Sequence, residues 1–302
     1  MSIARTEFDL VMNTQRPLYR HKFLQPYLHD NNSDRLRLQA TLDDALLPRS
    51  HQMKLHWQIG NKDVVRVKAL VAGHAGSALI RARQQRNLAE TKPGVTKERF
   101  WRAMVSMRLT TRQKSGPESH VARFIRLNPF PVTYAVVHQA RDAGILIAKV
   151  LRKAGGIRFA DKIANELAQN LELLEGGLWT DTLAQCNRLT QLVPRDVEIE
   201  VARHIQDHFL GFGPKQSRNL LQSLGLTRYE IPIDSRLTDW LNEFGFPVRL
   251  TATALGDDNY YRFISDGIQA LCERSGVLPC IFDAAVFASR DSVAWTDDNV
   301  IF

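Results

Sequence analysis

From Thr96 onward, apolar residues recur three and four positions apart in one segment after another, which commits this part of the chain to packed helices. ERFWRAMVSMRL sets Phe100, Met104, Met107 and Leu109 within helical reach of one another. FADKIANELAQNLELLEGG puts Ile163, Leu167, Leu171 and Leu174 on one stripe, with Gly176-Gly177 expected to end it. DVEIEVARHIQDHFLG repeats the pattern with Val197, Val201, Ile205 and Phe209, closed by Gly211. SRLTDWLNEFG and NYYRFISDGIQALCERSG add two helices before PCIFDAAVFAS. The fold class expected is mainly α over 96–302.

Residues 1–95 read differently. QMKLHWQIG and DVVRVKALVA show short apolar alternation, which predicts two strands joined through Gly60-Asn61-Lys62. Polar loops such as HDNNSDR surround them, and GSALIRARQQRNLAE reads as a helix. A smaller mixed α/β region is therefore expected over 1–95. No repeat and no low-complexity tract is present.

With 302 residues, 44% hydrophobic and 24% charged, the chain has the composition of a globular protein of one large or two smaller domains. Forty Lys and Arg against 32 Asp and Glu give a net charge of +8. Between Arg81 and Lys114 stand ten basic residues against Glu90 and Glu98 alone, and a second basic stretch runs from Arg141 to Lys162. Such stretches are either solvated helix faces or a surface for an acidic partner. Three cysteines, Cys186, Cys272 and Cys280, are too few for a disulfide framework and lack zinc spacing. They suggest a reducing cytoplasm. MSIARTEFDLV does not read as a signal peptide, and no apolar run is long enough to span a membrane, so no membrane association is expected.

The chemistry concentrates at GFGPK, residues 211–215, between two helical segments. Pro214 suits the first turn of a helix, where its missing N–H has no partner to lose. Gly211 and Gly213 permit positive φ and close approach of a phosphate, which free amides at a helix start attract. Lys215 is misplaced there, because the positive end of the helix dipole disfavours its ammonium form. That penalty, added to burial, lowers a lysine pKa and leaves free amine, a nucleophile for a sugar carbon. An exposed lysine touching phosphate would explain the same residue. Nineteen residues on, EIPIDSRLTDWL places Asp234 after an apolar approach, at the start of a further helix. It can cap that helix, and it can also stabilise cationic charge or move a proton.

GFGPK, then a helix, then PID with Ser235 and Arg236, resembles the helix-hairpin-helix (HhH-GPD) DNA glycosylase superfamily, which includes endonuclease III and the 8-oxoguanine DNA glycosylases. The resemblance covers roughly residues 96 to 290. It implies the helix-hairpin-helix glycosylase fold, with Lys215 as the nucleophile that attacks the sugar C1′ as the base leaves and Asp234 as the catalytic carboxylate. Gly211, Phe212, Gly213, Arg112, Arg218 and Arg236 become DNA contacts, Gln113 the wedge that fills the gap of a flipped nucleotide, and Asn219 a wall of the base pocket. Arg236 stands where many members have His. The four-cysteine iron–sulfur loop of endonuclease III is absent, so no cluster, metal or other cofactor is expected, although hairpins of this kind can hold a structural ion.

The resemblance implies a base-excision DNA glycosylase with AP lyase activity, acting as a monomer on duplex DNA that carries a modified base, in the cytoplasm at the nucleoid. An oxidised purine, 8-oxoguanine foremost, is the substrate it favours. The alternatives are a hypermodified base of phage DNA, such as glucosylated cytosine, excised in antiviral defence, a non-catalytic DNA-binding module, and an RNA-binding or scaffold protein.

Overall fold

The structure, a computed structural model, describes residues 57–300, of which those from Ile59 onward belong to one compact unit. Its helices follow in chain order: α1 Asn61–His74, α2 Ala78–Asn87, α3 Lys97–Leu109, α4 His120–Ile125, α5 Tyr134–His138, α6 Ala143–Ala154 and α7 Ala160–Leu173. After these come α8 Trp179–Arg188, α9 Arg195–His208, α10 Pro214–Ser223, α11 Ser235–Phe244, α12 Asp258–Ser275 and α13 Pro279–Arg290. Among the described residues there is no strand, and no helix is long and apolar enough to cross a membrane.

Local signals start the helices. Thr96, Ser119, Asp142, Asp234 and Asp257 each accept a backbone N–H from their own first turn, which satisfies donors that have no intrahelical partner. Pro214 and Pro279 open α10 and α13.

Two apolar cores result among the described residues. The first joins α3 to α10 around Phe100, Trp101, Met104, Leu167, Ile205 and Leu221. The second joins α11 to α13 with α1 and α2, around Leu79, Ile80, Ile233, Tyr261, Ile268 and Phe282.

Two expectations need correction. DVVRVKALVA is helical, not a strand: it lies within α1, whose start is secured by the Gly60 N–H donating to the Asp63 carboxylate at 2.9 Å. Val67, Leu70 and Val71 face the second core while Val65 is 65% exposed, so burial follows the helical period and overrides the β preference of valine. Of QMKLHWQIG, residues 52–56 lie outside the described residues and 57–60 form no regular element. Nor does the helical body begin at 96, since α1 and α2 are part of its second core. Gly176-Gly177, by contrast, does break the helix as expected: Gly177 leaves helical backbone at φ 128° and ψ −9°, a kink that separates α7 from α8.

Candidate active site

The turn between α9 and α10 is built from beneath. Gly211 adopts φ +81°, and a β-carbon there would lie 2.5 Å from Nε of Arg108. Arg108, buried at the end of α3, donates to the Gly211 carbonyl at 3.3 Å and pairs with Glu166. The Asn170 amide holds Leu210 from the other side, accepting its N–H at 2.8 Å and donating to its carbonyl at 3.0 Å. Phe212, expected at a DNA surface, is instead 1% exposed in the first core, because its ring anchors the turn. Gly213 caps α10 with φ −76° and ψ −169°, so positive φ is not what it provides. Open space is: a β-carbon there would meet nothing within 4 Å.

Lys215 follows as the second residue of α10, partly buried. Burial holds its ammonium below the usual lysine range, and Arg236 adds to this, while Asp234 and Asp283 oppose it. The direction of that shift favours the free amine over the ammonium form.

Asp234 caps α11, accepting the Leu237 N–H at 3.0 Å. The loop that delivers it is tied down residue by residue. Buried Glu198 accepts the N–H groups of Arg228, Tyr229 and Glu230 at 2.7–2.9 Å. The Tyr261 hydroxyl donates to the Ile231 carbonyl at 2.8 Å and accepts the Ile233 N–H at 2.9 Å. Glu230 is gripped by Arg218 at 2.7 Å and Arg195 at 2.8 Å; burial alone would raise its carboxyl, but the two guanidinium groups hold it below the usual range. Arg218 is therefore not a surface DNA contact. It is 8% exposed, donates also to the Pro214 carbonyl, and lies over the Tyr261 ring, joining the start of α10 to the loop before Asp234.

Lys215 and Asp234 share the wall between two spaces. One is an open cleft of about 1300 Å³, whose lining includes both residues together with Arg236, Gln113 and the exposed Arg112, Lys114, Arg123 and Arg158. The other is a small inner chamber of about 40 Å³, lined by both residues and by Asn219, Gln222, Asp283 and Phe287 among others. Asn219 donates to Thr110 Oγ1 at 3.2 Å and to Gln216 Oε1 at 3.1 Å. Asp283, fully inside, accepts from Gln222 at 2.7 Å and pairs with Arg83 at 3.3 Å; burial pushes its carboxyl up to about 6.

Arg112, which lines the cleft, and Phe159, next to the cleft-lining Arg158, take left-handed backbone at φ 53° and φ 60°. They are stitched together through Arg158, whose N–H donates to Gln113 Oε1 at 2.9 Å and whose guanidinium reaches the Arg112 carbonyl at 3.3 Å and lies over the Phe159 ring. Gln113, expected to project as a wedge, has both ends of its amide engaged, since its Nε2 also donates to the Leu109 carbonyl. Arg112, Arg158 and Phe159 stand exposed beside it. Arg236, expected as a phosphate contact, lies instead between Asp234 and Asp291.

Asp283, Asp291, Arg83, Phe159 and Phe287 were missed by the sequence reading. A lone carboxylate inside PCIFDAAVFAS could have pointed to Asp283. Nothing local marks the others, which reach the site only through the fold.

No protein-family model matches the chain. No curated protein matches it. Solved structures do. The 8-oxoguanine DNA glycosylase of Thermotoga maritima is similar at a TM-score of 0.56 and 15% identity, over 78% of this chain and 99% of that one. That of Methanocaldococcus jannaschii is similar at 0.53 and 13%, over 78% and 98%.

Proposed function

We propose that this chain, which has the helical fold of the 8-oxoguanine DNA glycosylases, is a DNA glycosylase whose nucleophile is the Lys215 amine. The observation that carries this reading is the pairing of Lys215 and Asp234 on one cleft wall, each at the start of a helix, with burial depressing the lysine. The fold supports the class of reaction, and the neighbours' named substrate makes 8-oxoguanine the base to test first.

In this reading the duplex lies along the cleft. Exposed Arg112, Lys114, Arg123 and Arg158 neutralise its phosphates. The start of α10, with free amides and an open Gly213, receives the backbone. A base inside a duplex cannot be reached, so the nucleotide is extruded at a cost of about a few kcal/mol. Arg112 and Phe159, rather than Gln113, hold the gap. The Lys215 nitrogen then bonds to C1′ as the glycosidic bond breaks, its electron pair leaving with the base, which takes up a proton. Asp234 stabilises the positive charge that develops on the sugar. Loss of the amine proton and opening of the C1′–O4′ bond leave a Schiff base. Removal of a 2′ proton from it expels the 3′ phosphate, so base release and strand cleavage come together.

Borohydride trapping on duplexes bearing 8-oxoguanine, oxidised pyrimidines, uracil, an abasic site or glucosylated cytosine tests the assignment. A covalent band dependent on Lys215 is expected, and the duplex that gives it fastest names the substrate. Lys215→Gln abolishes the band while duplex affinity stays within about tenfold. Asp234→Asn slows base loss and leaves the fold intact, because Asn caps a helix as well as Asp does. A Lys215→Gln protein that still traps would overturn the nucleophile. Tight duplex binding with neither trapping nor base release would make the chain a non-catalytic module.

A further inference from the structure

The inner chamber is too small for its place in the site. At about 40 Å³ it has room for a few waters, whereas cavities that bury a ligand run from about 300 Å³ upward. Yet it opens on Lys215 and Asp234, where an extruded base would arrive. Most of its wall cannot move: Leu79, Pro232 and Asp283 belong to the packed interior. Phe287 is different. It lines the chamber but not the cleft, and it is held from outside by side chains that face the cleft.

The hold is specific. The Arg236 guanidinium carbon lies 3.9 Å from the centroid of the Phe287 ring. Its Nε and Nη2 donate to Asp291 Oδ1 at 3.1 and 2.9 Å, and its Nη1 reaches Asp234 Oδ2 at 3.4 Å. The other oxygen of Asp291 accepts from Trp295 Nε1 at 3.0 Å, and the Trp295 ring lies 5.9 Å from Phe287. One carboxylate thus ties together the two groups that flank the ring. Arg236 and Asp291 both line the cleft, where a nucleic-acid backbone would run.

We propose that Arg236, Asp291 and Phe287 form a latch: Asp291 occupies the phosphate seat of Arg236 in the free protein, and a backbone phosphate beside the extruded nucleotide takes that seat, releases Phe287 and opens the chamber. This deepens the glycosylase reading and rests on it. An arginine suits the exchange because its planar fork binds carboxylate and phosphate by the same donors. The chamber then stays shut, with Lys215 and Asp234 shielded, until a backbone is in register. Closure also taxes binding, since only the open fraction accepts the nucleotide.

The test uses the full chain labelled with 5-fluorotryptophan, the Trp295 ¹⁹F resonance being identified by its loss in Trp295→Phe. The probe is a duplex with a tetrahydrofuran abasic analogue, which presents the phosphates and cannot be cleaved at a glycosidic bond. In the wild type, the duplex should move the Trp295 resonance. In Asp291→Asn, which keeps the shape but weakens the hold on Arg236, the duplex should bind about fivefold more tightly. A wild type that releases base while its Trp295 resonance stays in place overturns the latch and leaves the glycosylase reading standing. So does an Asp291→Asn protein that binds the duplex no more tightly than the wild type. A wild type that neither binds the duplex nor releases any base overturns the reading itself, and the latch with it.

Discussion

Two arginines near the cleft look alike in sequence and differ in the fold. Arg218 and Arg112 are both arginines close to the expected DNA surface, but only Arg112 is exposed; Arg218 is committed to Glu230. Removing one partner of such a pair strands a buried charge, at about 3–5 kcal/mol. Arg218→Ala should therefore lower the unfolding free energy in urea by that order. Arg112→Ala should leave stability alone and reduce the salt dependence of duplex binding by about one phosphate's worth. Asp283 makes a second prediction. Its folded-state carboxyl titrates at about 6 against an ordinary value of 3.8, so the folded state holds the proton more tightly than the unfolded chain. The stability this confers is complete below about pH 4 and is lost as pH rises to about 6. Comparing denaturation of wild type and Asp283→Asn across that window should show the wild type losing on the order of 3 kcal/mol relative to the variant. A constant difference between the two proteins would mean that Asp283 stays ionised throughout.

At the scale of elements, the α9–α10 turn gives its two glycines different work. Gly211 is required by the backbone and by Arg108 beneath it. Gly211→Ala should cost about 1–3 kcal/mol from left-handed strain alone, and more from the displaced guanidinium. Gly213 has ordinary φ and an empty surrounding. Gly213→Ala should leave the melting temperature unchanged and weaken duplex binding, because the added methyl stands where a phosphate must approach. Thermal melts and binding isotherms of the two variants separate these effects. Equal loss of stability in both would remove the reason for placing a phosphate at Gly213.

Over the whole molecule, the site belongs to neither core alone. Lys215 rides on α10, whose Leu220 and Leu221 are in the first core, and Asp234 opens α11, whose Leu237 and Leu241 are in the second. The second core includes Val67, Leu79 and Ile80 from α1 and α2, and Arg83 of α2 pairs with Asp283 at 3.3 Å. A chain starting at residue 96, where helical periodicity first becomes plain, should therefore fail to fold. It exposes the faces of α11 to α13 that α1 and α2 cover, and it leaves Asp283 without its cation. Loss of cooperative melting and binding of a hydrophobic dye would show this.

What the sequence determined by itself was local and short in range. Helical periodicity marked α3, α7, α9, α11 and α12, because a 3.6-residue period is written in neighbouring residues. Pro214 and Asp234 announced the starts of α10 and α11, since caps act within one turn, and the chemistry of a lysine at a helix N-terminus followed from the dipole. Only the tertiary structure decided the rest. It turned the valine-rich 63–72 into a helix by offering it a groove in the second core. It buried Phe212 and Arg218 and left Phe159 exposed in left-handed backbone. It also brought Asp283, Phe287 and Asp291 from α13 and its end to Lys215 and Asp234, more than forty positions away along the chain. Burial and ion pairing across such separations depend on which surfaces meet, and no local pattern of residues records that.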